Sequence, residues 1–556
     1  MKPTTLLAFG VALQGVVAGA AYGIDCSTLT TTLSYPDTVF TSSTSIAAGT
    51  LTLAGQPIPA HCRLLGKMHE RTSPVDGKTY SIGFEMRLPL DWNGRYFYQA
   101  NGGIDGSVAT ATGNTSGGGP LTSALLQRFA VISSDAGHNG AQNPTFGIDP
   151  QARLDYGYQA VGKLTPMAKA VIQSAYGRAP DYSYIGGCSN GGRHTMVAAA
   201  RYADEYDGYL VGSPGFNLPQ AAVASIYGAQ QYATVATILP SGLPDLASAF
   251  TAAERRLVSA KVLERCDALD GLADGIVQNV AACQKAFDLA RDVPTCPGAR
   301  DGTCLSAAQK TMVANIFAGP KDRDGRPIYS TFPYDAGHGA NGTAFWEFTA
   351  PLVLDSGAVG FVFGTPPADP ASFNGPLFTL NSDIDVLNDS IYEENRLYAE
   401  AGMSFMTPPK ATHLQRLWQR GSRMIVYHGV SDPIFSVDDT TEWFNRVTPR
   451  GQHSKGRGPS PDAFVRLFHV PGMNHCSGGP ATDQFDLLSA LVTWVEGGEA
   501  PERVVAKARG AGNPGGVNTE LPAGWAPDRT RPLCSYPGVA TYQGGNPERA
   551  ESFSCK

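Results

Sequence analysis

The pentapeptide Gly187-Cys188-Ser189-Asn190-Gly191 has the form Gly-x-Ser-x-Gly. It follows a strand-like run at 182–185 and precedes a helical run at 193–202, so the serine is expected on a sharp strand-to-helix turn that small flanking residues permit. A serine hydroxyl attacks a carbonyl only when a base takes its proton and a third group orients that base. Two later positions fit these roles. Asp432 follows an apolar run at 423–427, and His475 sits in Pro471-Gly472-Met473-Asn474-His475-Cys476, ahead of an apolar-faced helix at 487–495. Asp438 and Asp439 are alternative acids, and His428, His469 and His138 alternative bases. Ser189, Asp432, His475 is the chain order of a Ser-acid-His triad in this strand-turn-helix setting. Cleavage would pass through an acyl-enzyme whose oxyanion needs two backbone N–H donors. Asn190, next after the serine, is expected to supply one. Gly103, in the Asn101-Gly102-Gly103 turn after a strand run at 95–99, is expected to supply the other, unless that is an ordinary glycine turn.

Cys188 precedes the serine and Cys476 follows the histidine. A fold that joins Ser189 to His475 would also join these cysteines, either as a disulfide or as two buried thiols. A second cluster, Cys266-Asp267-Ala268-Leu269-Asp270-Gly271-Leu272-Ala273-Asp274-Gly275-Ile276, gathers three carboxylates around two glycines. It does not have EF-hand spacing; it reads either as a calcium loop or as a solvated acidic turn.

These groups need a scaffold. The 556 residues are 42% apolar and 16% charged, which excludes a disordered chain. Net charge is −7 with no basic run, which argues against nucleic-acid binding. Gly 64 and Pro 40 fall without a period and mark many turns and long ordered loops. Further strand runs lie at 80–88, 129–133 and 464–470, with a helix near 154–176. Alternating strands and helices indicate a parallel sheet covered on both faces. Residues 216–412 break the pattern, with few clear strands, four cysteines and much Ala, Gly, Pro and Asp; they read as an inserted lid. The tail from 501 reads as irregular. The expected architecture is an α/β-hydrolase fold: a signal peptide at 1–20, a catalytic domain at 21–215 and 413–556, and a lid domain at 216–412.

Lys2, an apolar stretch at 6–17 and Ala18-Gly19-Ala20 have the form of an export signal. No later segment is long and apolar enough to span a membrane. The product is expected to be secreted or periplasmic, where ten cysteines would pair. Cys26–Cys62, Cys266–Cys283, Cys296–Cys304 and Cys534–Cys555 are local candidates, leaving Cys188 and Cys476. Sequons begin at Asn114, Asn341 and Asn388 and matter only in a eukaryotic host.

The runs Ile185-Gly186-Gly187-Cys188-Ser189-Asn190-Gly191-Gly192-Arg193, Tyr206-Asp207-Gly208, Tyr427-His428-Gly429 and Pro471-Gly472-Met473-Asn474-His475-Cys476 resemble the tannase and feruloyl esterase family, which includes bacterial mono(2-hydroxyethyl) terephthalate hydrolases. The resemblance covers nearly the whole mature chain. It implies that Ser189, Asp432 and His475 form the triad, that Cys188–Cys476 is a disulfide, and that all five pairs above form. It also implies structural calcium in the lid, held by the side chains of Asp267, Asp270 and Asp274 and the carbonyls of Leu272 and Ile276. The implied substrate is a small aromatic ester, free or attached to plant polysaccharide or polyphenol. Terephthalate-monoester hydrolases of the family carry a lid arginine, whereas this chain has no Lys or Arg between Arg326 and Arg396. A carboxylate-bearing acyl group therefore fits less well than ferulate, p-coumarate, caffeate or gallate. Phe345, Trp346, Phe348, Phe361 and Phe363 are candidate pocket aromatics, or lid core. Tannase or terephthalate-monoester hydrolase activity, and a non-catalytic binding protein on the same scaffold, are the alternatives.

Overall fold

The computed structural model describes residues 24–115, 118–119, 121–447 and 460–556. The expected signal at 1–20 lies outside the described residues, as does Ser116 of the first sequon.

Nine strands form one sheet: β1 (Thr38–Ile46), β2 (His61–Thr72), β3 (Thr79–Pro89), β4 (Arg95–Gln99), β5 (Ala130–Ser134), β6 (Tyr182–Cys188), β7 (Gly208–Gly212), β8 (Arg423–Gly429) and β9 (Val465–Val470). They lie side by side in the order β1-β2-β3-β5-β4-β6-β7-β8-β9. The pairs β1–β2, β2–β3 and β3–β5 are antiparallel, and every pair from β5 to β9 is parallel. The chain runs outward from β4 to β5 and then returns across β4 to β6. The segments that leave β4 and β6 therefore emerge side by side at the carboxyl edge, where a crevice forms in such sheets.

Side chains alternate between two apolar layers, as a strand's period of two requires. Ile185, Val211, Met424 and Val426 face one cluster; Tyr184, Leu210, Ile425 and Tyr427 face the other. The major helices are α1 (Ala160–Tyr176), α2 (Asn190–Arg201), α3 (Leu218–Ala233), α4 (Ala252–Cys266), α5 (Val437–Arg446) and α6 (Leu487–Gly497). Leu164, Met167 and Val171 of α1 join the first layer, and Leu487, Leu491 and Trp494 of α6 the second. Burial on both faces is why the central strands read as continuous apolar runs.

The run expected near 154–176 is one helical path from 150 to 176, with a wide π turn at Asp155–Gln159. Residues 213–422 separate β7 from β8 and add only the two-residue strands Thr237–Ile238 and Pro244–Asp245. Part of this segment has its own core, with Tyr232, Phe250, Val262, Val277, Met312 and Phe348 among its members. Cys266–Cys283 and Cys296–Cys304 staple it. The tail is more regular than expected. Arg503–Lys507 pairs with Thr530–Cys534, Ala540–Tyr542 pairs with Phe553–Cys555, and Cys534–Cys555 ties the two ribbons together. Arg503–Lys507 has one buried residue and Thr530–Cys534 contains Pro532, so neither stands out as an apolar run.

Candidate active site

Ser189 stands between β6 and α2, capping the helix, with φ 66° and ψ −127°, a left-handed conformation that is costly for any side chain bearing a Cβ. The flanking glycines make the turn fit. A Cβ on either Gly187 or Gly191 would stand 2.3 Å from the Ala100 carbonyl oxygen, at the end of β4. The Gly-x-Ser-x-Gly pattern thus records how tightly the turn packs on the neighbouring strand.

Asp432 lies in the loop after β8 and is fully buried. Its Oδ1 accepts the backbone N–H groups of Ile434 and Phe435, each at 3.0 Å. Its Oδ2 lies 2.7 Å from His475 Nδ1 and 3.5 Å from His428 Nε2. Burial alone would raise the Asp432 carboxyl, but the facing His475 and the hydrogen bonds from His428 and His475 hold it well below the usual carboxylate range. With Nδ1 turned to Asp432, Nε2 is the nitrogen left for proton exchange. It is buried and has no hydrogen-bond partner among the described residues. The rings of Trp346 and Phe435 pack edge-on against the imidazole, at 4.8 and 5.3 Å between centroids.

Those two rings, Ser189, Asn190 and Gly103 all line one cavity. Asn190 opens α2, where the first backbone N–H groups lack helical acceptors. Gly103 has φ +64°, and a Cβ there would meet open space. The loop carrying it is anchored residue by residue. Tyr156 Oη donates to Gly103 O, His138 Nε2 lies 2.9 Å from Ile104 O, and Asn143 Nδ2 donates to Asp105 O. The Asp105 carboxylate then reaches α2, accepting from Asn190 Nδ2 and meeting His194 Nε2, both at 2.9 Å. Asp105 thereby ties the Gly103 loop to the Asn190 helix. Sequence reasoning missed it; its one signal is an acidic residue two positions after the glycine turn.

Cys188 and Cys476 form a disulfide, with Cα atoms 6.1 Å apart across 288 residues of chain. It joins the serine turn directly to the histidine loop. Cys26–Cys62 completes the five pairs, and no cysteine is free among the described residues.

The model of the family described as tannase and feruloyl esterase matches residues 62–556. The chain belongs to that family. It is a carboxylic ester hydrolase. A mono(2-hydroxyethyl) terephthalate hydrolase of Piscinibacter sakaiensis is 38% identical over 542 residues, covering 91% of this chain and 87% of that protein. A probable feruloyl esterase of Arthroderma benhamiae is 28% identical, covering 84% and 81%. Feruloyl esterase B from Aspergillus oryzae superposes with a TM-score of 0.74 at 22% identity, over 96% of this chain and 99% of that one. Tannin acyl hydrolase from Aspergillus niger gives 0.70 at 20%, over 96% and 95%. The two fungal structures share the fold.

Within this family member the alternative acids and bases lie elsewhere. Asp438 accepts from Thr331 Oγ1, and Asp439 accepts from Asn217. His469 faces Thr441 and Tyr536, and His138 stacks on Phe146. His428 alone approaches the site, beside Asp432. Of the candidate aromatics, Trp346 and Phe363 line the cavity, Phe348 and Phe361 are core, and Phe345 is exposed. Asp355, not singled out from sequence, also lines the cavity and accepts from Ser225 Oγ at 2.7 Å. Among the described residues no Lys or Arg does.

The acidic loop is folded on itself. Asp267 accepts from the backbone of Asp274 and Gly275, and Asp274 is ion-paired with Arg531. Asp270 Oδ2 is buried without a hydrogen-bond partner. Burial first, and then the neighbouring Asp274 and Asp267, push its carboxyl up to about 7. The orphaned oxygen and the all-oxygen donor set suit a hard cation. Among the described residues no three acidic, His or Cys side chains are drawn together as ready ligands. A cation would therefore have to gather them, in competition with Arg531.

Proposed function

We propose that the protein is an exported serine esterase that cleaves esters of hydroxylated aromatic acids, with 216–412 acting as a lid over the site. The observation carrying this reading is the 2.7 Å contact between His475 Nδ1 and a fully buried Asp432, beside a cavity that also holds the strained Ser189. His475 Nε2 takes the Ser189 proton as Oγ attacks the ester carbonyl. The Asn190 and Gly103 N–H groups hold the oxyanion. His475 returns the proton to the departing alcohol, and water then releases the acid by the same route. Asp432 fixes the imidazole tautomer and stabilises the imidazolium. Five disulfides are in keeping with export, and no helix among the described residues is long and apolar enough to cross a membrane. In the lid, calcium would be held by Asp267, Asp270 and Asp274 with the carbonyls of Leu272 and Ile276, a structural role remote from the chemistry.

Terephthalate-monoester hydrolysis is the second reading, favoured by the relative at 38% identity. The cavity's lack of a Lys or Arg among the described residues, and the Asp355 carboxyl on its wall, weigh against an anionic acyl group. Rates on methyl ferulate, methyl caffeate, methyl gallate and mono(2-hydroxyethyl) terephthalate decide between them. Preference for the phenolic esters supports the first reading; preference for the terephthalate monoester replaces it with the second. Absence of turnover on all four would leave a binding protein on a hydrolase scaffold.

A further inference from the structure

A second cavity adjoins the catalytic one, and Trp346 and Ile434 line both. The Ser225–Asp355 hydrogen bond bridges them, since Ser225 lines the second cavity and Asp355 the first. The walls are mostly apolar, with aromatic faces from Tyr232, Phe317 and Phe332. Apolar and aromatic walls with a few polar groups are the lining of a small-molecule site.

Two features say that the space is kept open. On α3, residues 221, 224, 225, 228 and 232 face the cavity, a single helical stripe. Gly228 in that stripe is buried, yet a Cβ there would meet nothing within 4 Å, and its φ is not left-handed. Neither backbone conformation nor close packing requires glycine at this position, although mid-helix glycine costs stability relative to alanine. The second feature is polar. Glu347 lines the cavity, and its Oε2 is buried with no hydrogen-bond partner. Arg255 Nη1 is its nearest cation, at 3.6 Å, and is itself donating to Thr343 and Ala340.

Building on the proposed esterase reading, we infer that this second cavity receives the phenolic ring of the substrate, with Gly228 left bare to admit the ring and Glu347 hydrogen-bonded to its hydroxyl. A ring with a hydroxyl gives this oxygen a hydrogen bond, whereas a bare ring leaves it only the 3.6 Å contact with Arg255, so the site discriminates phenols from otherwise identical rings.

The test uses Ser189→Ala protein, so that ligands bind without turnover, and calorimetric titration of methyl p-coumarate and methyl cinnamate, which differ only in the hydroxyl. Gly228→Leu is expected to weaken both by about tenfold or more, and Glu347→Met, which removes the acceptor, to erase most of an about tenfold p-coumarate advantage. Gly228→Ala, which should melt higher than the parent, provides a folded intermediate with a smaller loss. Unchanged affinity in both Gly228 variants, or a p-coumarate advantage that survives Glu347→Met, overturns the assignment. If the intact enzyme hydrolyses p-coumarate esters while these variants bind normally, the subsite fails and the esterase reading stands. If the variants lose binding while the intact enzyme hydrolyses no ester, the subsite stands and the catalytic reading fails.

Discussion

The sheet edge bearing Ser189, Asp432 and His475 and the segment 216–412 facing it are built in opposite ways. Each of the three side chains follows a parallel strand, β6, β8 or β9, whose register with its neighbours is fixed by burial on both faces. Slippage by one residue would reverse every side chain. The facing wall comes from Leu218, Trp346, Leu354, Asp355, Ala358 and Phe363, carried on α3 and a run of wide π turns. It is held by a local core and two short disulfide loops. In the proposed reading, chemistry resides on the rigid frame and selectivity on a segment that can change without disturbing it. One fold can thus serve relatives named for terephthalate monoesters and for feruloyl esters.

The sharpest break on the frame side is Ser189→Ala. Turnover should fall by at least about 10⁴-fold with the melting temperature nearly unchanged; retained turnover would remove the serine from the mechanism. The Cys188→Ala/Cys476→Ala variant comes next. Closing 288 residues of chain is worth about 6 kcal/mol in the chain-entropy model, and the bridge joins the Ser189 turn to the His475 loop. Turnover should fall by about 10²-fold in a protein that still folds, and full activity would show that β6 and β9 align the site unaided. In the 216–412 segment, calcium at 100 times its Kd would add about 2.7 kcal/mol. Chelation should lower the melting temperature by several degrees without altering selectivity. An unchanged melting curve, with no calcium by elemental analysis, would leave an acidic turn neutralised by Arg531.

A smaller effect spans both regions. Burial pushes Asp105 of the frame, and Asp355 and Glu347 of the facing segment, up to about 7. Between their ordinary values and 7 the folded protein holds protons that the unfolded chain releases. Stability therefore falls as pH rises through that window and levels off above it. Melting temperatures should be higher at about pH 5.5 than at about pH 8. The opposite slope would mean that these carboxyls ionise freely in the folded state.

The frame was far more legible in sequence than the segment facing it. The buried strands at 95–99, 182–185 and 423–427 announced themselves as apolar runs, and the glycines around Ser189 recorded a steric need. Asp432 and His475 could be paired from sequence because chain order and strand ends constrain a triad, and the fold places them 2.7 Å apart. β1 and β2 went unread because one edge strand is largely exposed and its partner only alternately buried, so neither forms a plain apolar run. Asp105, Asp355 and Glu347 were invisible for a different reason: their roles come from burial and from contacts many residues away in the chain. The π turns of 345–363 follow no simple period, so which of their aromatics line the cavity could be learned only from the fold.

The central claim is that Ser189 is the nucleophile and His475 its base. A fluorophosphonate probe, followed by peptide mass mapping, tests it most directly. One adduct, on Ser189, that disappears in His475→Ala is the predicted result. An adduct elsewhere, or none from a protein that turns over esters, would contradict it.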